Sequence, residues 1–264
     1  MFKKTVQSPA VKLLRRLAIG ATLLVALSTP VAAQPPGLVV SVAASLRDAL
    51  DEIAGMYRAA TGVAVALNPG GSNTLARQIV EGAKVGLFLS ADEIQMDVVE
   101  KADRIVPGTR VRLLTNDLAV IVPAGSRRTL AAAELAGPSV RRVAMGETSS
   151  VPAGVYGRKW LEGQGLWSAV APKVVPFPTV RGVVAAVEAG RVDAGIVYLT
   201  DTIGRPALGV PIIVPSTANP ALAITYSAAV VRGPEQEAAA RFLQFVRSPP
   251  AREVFERRRF GLAP

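Results

Sequence analysis

From Leu38 onward the chain alternates short β-branched runs with stretches whose apolar residues recur every three or four positions. Leu38 to Ala43 (LVVSVA) predicts a strand. Ser45 to Ala60 predicts a helix that sets Leu46, Ala49, Leu50, Ile53, Met56 and Tyr57 on one face. Val63 to Leu67 is the next expected strand, and Leu75, Ala76, Ile79 and Val80 mark the helix after it. Val85 to Leu89 then leads into a helix through Ile94, Met96, Val98 and Val99. A second series opens with a strand from Leu118 to Val122 and a Pro-Ala-Gly-Ser turn. Arg142 to Met145 precedes a helix from Pro152, and Val174-Val175 precedes one from Val180. Ala194 to Tyr198, Val210 to Val214 and Ile224 to Val231 supply further strands, and helices near Glu235 to Val246 and Ala251 to Arg257 end the chain.

This βαβα rhythm predicts two α/β lobes, each a mixed, mostly parallel sheet flanked by helices. No low-complexity linker separates the two series, so extended crossings at Leu118 to Val122 and Ile224 to Val231 are expected to join the lobes. The expected division is residues 34–117 as the first part of lobe 1, 118–223 as lobe 2 and 224–264 as the return to lobe 1. In such an arrangement a ligand sits in the cleft, where strand carboxyl ends face helix N-termini.

The first 33 residues stand apart from this pattern. Lys3, Lys4, Lys12, Arg15 and Arg16 form a basic head, Leu17 to Leu27 an apolar stretch, and Val31-Ala32-Ala33 a small-residue junction. Together they predict an export signal peptide cleaved before Gln34. The apolar run is short for a membrane span and is followed closely by Pro30. Removing the leader takes five basic residues and no acids, so the formal charge falls from +10 to +5. A mild excess of that size favours anions, without the basic stripe and interleaved aromatics that nucleic acid binding requires.

The exported chain has no cysteine, so its fold must rest on its core rather than on disulfides. With no histidine either, zinc sites of the usual kinds, Ser-His-Asp triads and Cys-His pairs are excluded. Binding and release fit this composition better than catalysis. A hydrolase would need a Ser–Lys pair or carboxylates. Lys159, Asp193 and Asp201 are the candidates, and solvated surface charges account for them more simply. A sensor with the same two-lobed fold is a further reading, with no output domain visible before Pro264.

Four strand-to-helix junctions remain, built of small or neutral residues apart from Arg181: Ala43-Ala44-Ser45, Gly71-Ser72-Asn73-Thr74, Ser150-Val151-Pro152-Ala153-Gly154 and Pro178-Thr179-Val180-Arg181-Gly182. Each alone reads as an ordinary helix start. Ser45 with Asp48 matches a capping box, Ser72 and Thr179 match caps, and Pro152 suits a first helical turn. As a set they offer something more. A helix N-terminus carries unpaired N–H groups and a partial positive charge, and it binds oxyanions without any charged side chain.

At these junctions the sequence resembles the periplasmic molybdate-binding proteins that serve ABC transporters, over essentially the whole mature chain. The shared motifs are VAASLRDAL, GGSNTLARQIVEGA, LFLSAD, VPAGVYGRKWLE, VRGVVAAVEAG and DAGIVYLTD, in that order. The resemblance implies a type II periplasmic-binding-protein fold, no enzymatic activity and no cofactor. It implies a monomer that binds molybdate, and tungstate with it, in the periplasm and delivers it to an ABC transporter permease. Carried over by motif, the oxyanion contacts are Ser45 and Ser72 through hydroxyl and N–H, Ala153 and Val180 through N–H, and Tyr198 through its phenol. The metal is bound as its oxyanion, with no direct protein ligand. Two positions depart from the family pattern: Gly86 stands where an Asp is common, and Glu147-Thr148 where Asp-Pro is common. The alternative within the binding class is a receptor for sulfate or another small oxyanion.

Overall fold

The computed structural model describes residues 37–126, 131–209, 211–218 and 222–264. The export leader, its junction at Gln34 and the first residue of the expected strand at Val210 lie outside the described residues. Two mixed sheets carry the fold, one of six strands and one of five. Among the described residues no helix is long and apolar enough to cross a membrane.

The first sheet has the order β11-β4-β10-β3-β1-β2. Its strands are β1 (Leu38–Ala43), β2 (Val65–Gly70), β3 (Leu87–Ser90), β4 (Val111–Thr115), β10 (Thr225–Val230) and β11 (Gly261–Leu262). β1 runs parallel to β2 and β3, with Ala43 opposite Gly70, so both strands end level at the same rim. β10 pairs antiparallel with β3 and β4. Alternation along each strand sorts the side chains between two layers. Val40, Val42, Leu87 and Leu89 join the main core with α1 (Arg47–Thr61), α7 (Gln236–Val246) and α8 (Pro249–Arg257). Phe88 instead packs with Leu75, Ile79, Met96 and Val99 on α2 (Ser72–Val80) and α3 (Glu93–Lys101), on the other face. Half of the apolar pattern of α3 faces outward, since Ile94 and Val98 are exposed.

The second sheet has the order β7-β6-β8-β5-β9. Here β6 (Val143–Gly146) lies parallel to β7 (Val174–Phe177) and β8 (Ala194–Tyr198). β5 (Leu118–Ile121) is antiparallel to β8 and to β9 (Ile212–Val214). Helix α4 (Pro152–Gly163) packs over the face carrying Met145 and Ile196, which lie where a Cβ on Gly157 would go. After the short α5 (Trp167–Val170), α6 (Val180–Glu188) covers the opposite face, pressing Val183 and Val187 onto Gly195. The chain passes from the first sheet to the second through Asn116-Asp117, and returns between Val214 and Thr225.

The departure at Gly86 has a packing reason. A Cβ there would lie 2.5 Å from Leu38 Cδ1 and 3.2 Å from Ala239 Cβ. Glycine lets α7 sit close over the start of β1, where an aspartate would push the helix away.

Candidate functional site

The strands β1, β2, β3 and β8 all end beside one small cavity. β1 stops at Ala43, and the chain enters α1 through a tight turn at Ala44–Leu46. Ser45 does not form the expected capping box. Its Oγ lies 3.0 Å from Tyr226 Oη, and Asp48 binds Arg181 Nη2 at 2.8 Å instead. The reason is tertiary: both groups find stronger partners across the fold than in the first turn of their own helix.

β2 ends at Gly70, Gly71 takes an extended conformation (φ −66°, ψ 132°), and Ser72 is the first residue of α2. Ser72 is no cap either. Its Oγ accepts the Ala91 N–H at 3.0 Å, which leaves its own hydrogen free to point away from that bond. Ala91 belongs to the LFLSAD motif, whose Asp92 caps α3 by accepting the Gln95 N–H at 2.9 Å. That motif therefore positions Ser72, a role no local pattern announces. Burial is the largest influence on the Asp92 carboxyl and pushes it up to about 6.

In the second half, Pro152 occupies the first turn of α4, as expected, with Ala153 next. Thr179 is a true cap, its side chain accepting the Gly182 N–H at 3.2 Å, and Val180 opens α6. The amides of Ser45, Ser72, Ala153 and Val180 all fall in first-turn positions, where helix geometry supplies no carbonyl partner. Tyr198, the last residue of β8, is fully buried, and its hydroxyl has no hydrogen-bond partner among the described residues. Burial, first, and then Tyr226, Tyr156, Asp92 and Asp201 push its ionisation well above the usual tyrosine range. The group stays a neutral O–H donor.

Ser45, Ser72, Ala153, Val180 and Tyr198 all line this cavity, with Ala43, Ala44, Gly70, Gly71, Ala91, Val151 and Pro152. Among the described residues no charged side chain lines it. Its volume is about 20 Å³, against the ~10–15 Å³ that one water molecule needs. That scale suits one small compact solute. The other departure from the family pattern, Glu147-Thr148, does not line it. The Glu147 carboxylate instead turns to Ser149 Oγ at 3.3 Å.

The two halves touch over the cavity. Asn73 Nδ2 donates to Ser150 Oγ at 3.1 Å, and Arg181 Nε donates to the Ala44 carbonyl at 3.3 Å. Asp201 corrects the sequence reading: it is buried, not solvated, with Arg181 Nε 3.7 Å from Oδ1 and no hydrogen bond of normal geometry to either oxygen among the described residues. Lys159 is exposed, and Asp193 accepts the Arg141 and Arg142 amides at 2.9 and 2.8 Å.

Burial pushes the Asp201 carboxyl up to about 7, with Arg181 offsetting part of that rise. The folded state therefore holds a proton that the unfolded chain has lost, from about pH 4 to 7, and stability falls as pH rises through that window. We expect Asp201→Asn to flatten the slope and to raise stability at pH 8 by on the order of 1–3 kcal/mol, with little change near pH 4. Thermal melts of both proteins across pH 4–8 check this. Parallel curves would show that Asp201 is charged throughout.

Comparison with known proteins gives a consistent picture. The sequence matches the family described as bacterial extracellular solute-binding protein over residues 38–261. The molybdate-binding protein ModA of Escherichia coli (strain K12) is 34% identical, over 92% of this chain and 96% of that one. Among solved structures, the substrate binding domain of a putative molybdenum ABC transporter from Clostridium difficile is 31% identical, with a TM-score of 0.66 over 86% of this chain and 99% of that chain. The Azotobacter vinelandii periplasmic molybdate-binding protein has the same fold at 24% identity, with a TM-score of 0.77 over 86% of this chain and 100% of that chain.

Proposed function

Since the chain belongs to the molybdate-binding branch of the bacterial extracellular solute-binding proteins, we propose that it captures molybdate, and tungstate with it, and delivers the oxyanion to an ABC transporter permease. The observation that carries this reading is the buried, unpartnered Tyr198 hydroxyl on a cavity with no charged wall. A buried hydroxyl left without a partner costs about 1–3 kcal/mol, and a guest that accepts its hydrogen removes that cost.

The chemistry selects the guest. Ser45 and Ser72 each offer an O–H and an N–H, Ala153 and Val180 an N–H, and Tyr198 an O–H. A fully ionised tetrahedral dianion is all acceptor and satisfies such a set. Hydrogen phosphate would turn its own O–H against donors and leave it unmatched. Counted at one charge-assisted bond per residue, five bonds at ~1.5–3 kcal/mol each give ~8–15 kcal/mol gross, and subtracting at least ~4 kcal/mol for association still permits micromolar or tighter binding. The second reading, a sulfate receptor, shares charge and shape and differs in the size of the guest.

In this reading the leader carries the chain to the periplasm and is removed before Gln34. The mature monomer binds without turnover. Its lobes, 34–117 with 224–264 and 118–223, close about the crossings, and the closed form is the one the permease accepts.

Isothermal titration of the mature chain with molybdate, tungstate, sulfate and phosphate tests the assignment. We expect strong binding of the first two and little of the others. An equal response to sulfate overturns molybdate as the ligand. Ser72→Ala is expected to weaken molybdate binding about 10- to 100-fold, because it removes a donor and strands the Ala91 N–H. Tyr198→Phe is expected to weaken it about 10-fold.

A further inference from the structure

Behind Ser45 stand two buried polar side chains outside the cavity lining. Tyr226, on β10, holds its Oη 3.0 Å from Ser45 Oγ. Asn116, in the crossing between β4 and β5, donates Nδ2 to that same Oη at 3.1 Å. Both are almost fully buried, and neither lines the cavity.

The orientation of Asn116 is fixed from its other side. Its Oδ1 accepts the Asp117 N–H at 2.9 Å, and Nδ2 also donates to Thr200 Oγ1 at 2.9 Å. The group facing Tyr226 is therefore a donor. A phenol has one hydrogen, and with Asn116 donating to Oη, Ser45 Oγ is the acceptor within reach among the described residues, so satisfying the buried Tyr226 hydrogen directs it to Ser45. Ser45 then receives a hydrogen on the inner side, and its own single hydrogen is left for the cavity.

We propose that Asn116 and Tyr226 are positioning residues that set the donor polarity of Ser45, so that this wall of the cavity presents a hydroxyl hydrogen and not a lone pair. The proposal rests on the reading above, in which Ser45 contacts the oxyanion. A serine hydroxyl free to rotate can turn a lone pair toward a protonated guest. One held by a directed chain of bonds stays a donor, and each bond in the chain polarises the next. The relay thus sharpens the preference for a fully deprotonated dianion over hydrogen phosphate.

Titrations of the mature chain with molybdate and with phosphate at pH 8, with ligand-free melts of each variant, test the relay. Tyr226→Phe removes only the hydroxyl, and we expect molybdate binding about 10-fold weaker with a narrower molybdate-to-phosphate preference. Asn116→Asp replaces the donor with an acceptor. Tyr226 then donates to the carboxylate, Ser45 must donate to Oη, and molybdate binding is expected to fall about 100-fold. Added negative charge alone would also weaken binding, so the double variant Asn116→Asp/Tyr226→Phe decides. Under the relay, deleting the phenol hydroxyl frees Ser45, and the double variant binds molybdate about fivefold or more tightly than Asn116→Asp. A double variant as weak as, or weaker than, the single overturns the relay, as does a Tyr226→Phe protein that binds unchanged. Ser45→Ala separates the two levels. If it binds molybdate normally, the contact assigned to Ser45 fails; if it binds weakly while Tyr226→Phe does not, only the relay fails.

Discussion

A Gly71→Ala protein is expected to fold as well as its parent and to lose molybdate binding by about 100-fold or more. Locally the methyl group is welcome, because Gly71 already has φ −66° and ψ 132°, which alanine adopts freely. Restricting the unfolded chain at such a position adds about 0.4–1 kcal/mol of stability. The obstacle lies across the cleft. The added Cβ would stand 2.7 Å from the Pro178 carbonyl oxygen and 2.8 Å from Asn73 Oδ1. Asn73 can swing aside. The Pro178 carbonyl belongs to the backbone between β7 and α6, and it can recede only if the second half of the molecule moves away. A retreat of several tenths of an ångström carries the amides of Val180 and Ala153 with it and lengthens their bonds to any guest shared with Ser45 and Ser72. The two effects have opposite signs: a melting temperature unchanged or higher without ligand, and a ligand-induced rise that disappears. A variant that still gains the parental rise on adding molybdate would show that the halves need not approach this closely.

The opposition of local comfort and distant conflict at Gly71 also explains what could be read in the sequence. β1 and β8 fall where the β-branched runs put them, at Leu38–Ala43 and Ala194–Tyr198, because both are inner, mostly apolar strands bounded by a sharp change of pattern. The helices opening at Ser72, Pro152 and Val180 were legible from small, polar and proline residues just ahead of an apolar period. β2 extends to Gly70, beyond the expected end at Leu67, because pairing with β1 carries Pro69 and Gly70 along. β4 and β11 went unread. Val111–Thr115 (VRLLT) neither alternates cleanly nor forms an unbroken apolar run, and Gly261–Leu262 is too short to carry a pattern. Both exist through antiparallel pairing with residues far off in sequence. The site divides the same way. Of the lining residues, Ser45, Ser72, Ala153 and Val180 stood at legible helix starts, whereas Tyr198 was marked only by the family resemblance. The groups that hold them were not legible: Ala91 behind Ser72, Asn116 and Tyr226 behind Ser45, and the buried Asp201 beside Arg181 are joined by contacts that no local window contains.

Gly154→Ala carries the second large effect, and here the loss falls first on the fold. Gly154 is the third residue of α4, and its Cα faces the end of β6. An added Cβ would come within 2.5 Å of the Gly146 carbonyl carbon, closer still to its oxygen, and 2.8 Å from the Glu147 oxygen. All three obstacles are backbone, and Gly146 is bound into the sheet through its pairing with Phe177. The helix must therefore lift from the strand. Gly157, one turn along, would draw away from Met145 and Ile196 beneath it, and the buried Trp160 and Leu161 would be lifted with the helix. Overpacking of this kind costs about 1–3 kcal/mol and more where backbone meets backbone. At about 2–4 °C per kcal/mol for a chain of this size, a fall of roughly 6–12 °C in melting temperature is expected. The displaced first turn also carries the Ala153 amide away from the cavity, so molybdate binding should weaken in the fraction that remains folded. The paired melts separate the two glycines: Gly71→Ala keeps its ligand-free stability and loses the response to ligand, whereas Gly154→Ala loses stability before any ligand is added. A Gly154→Ala protein with parental melting would mean that α4 does not rest on the β6 carboxyl end, and the placement of Ala153 at the cavity would lose its support.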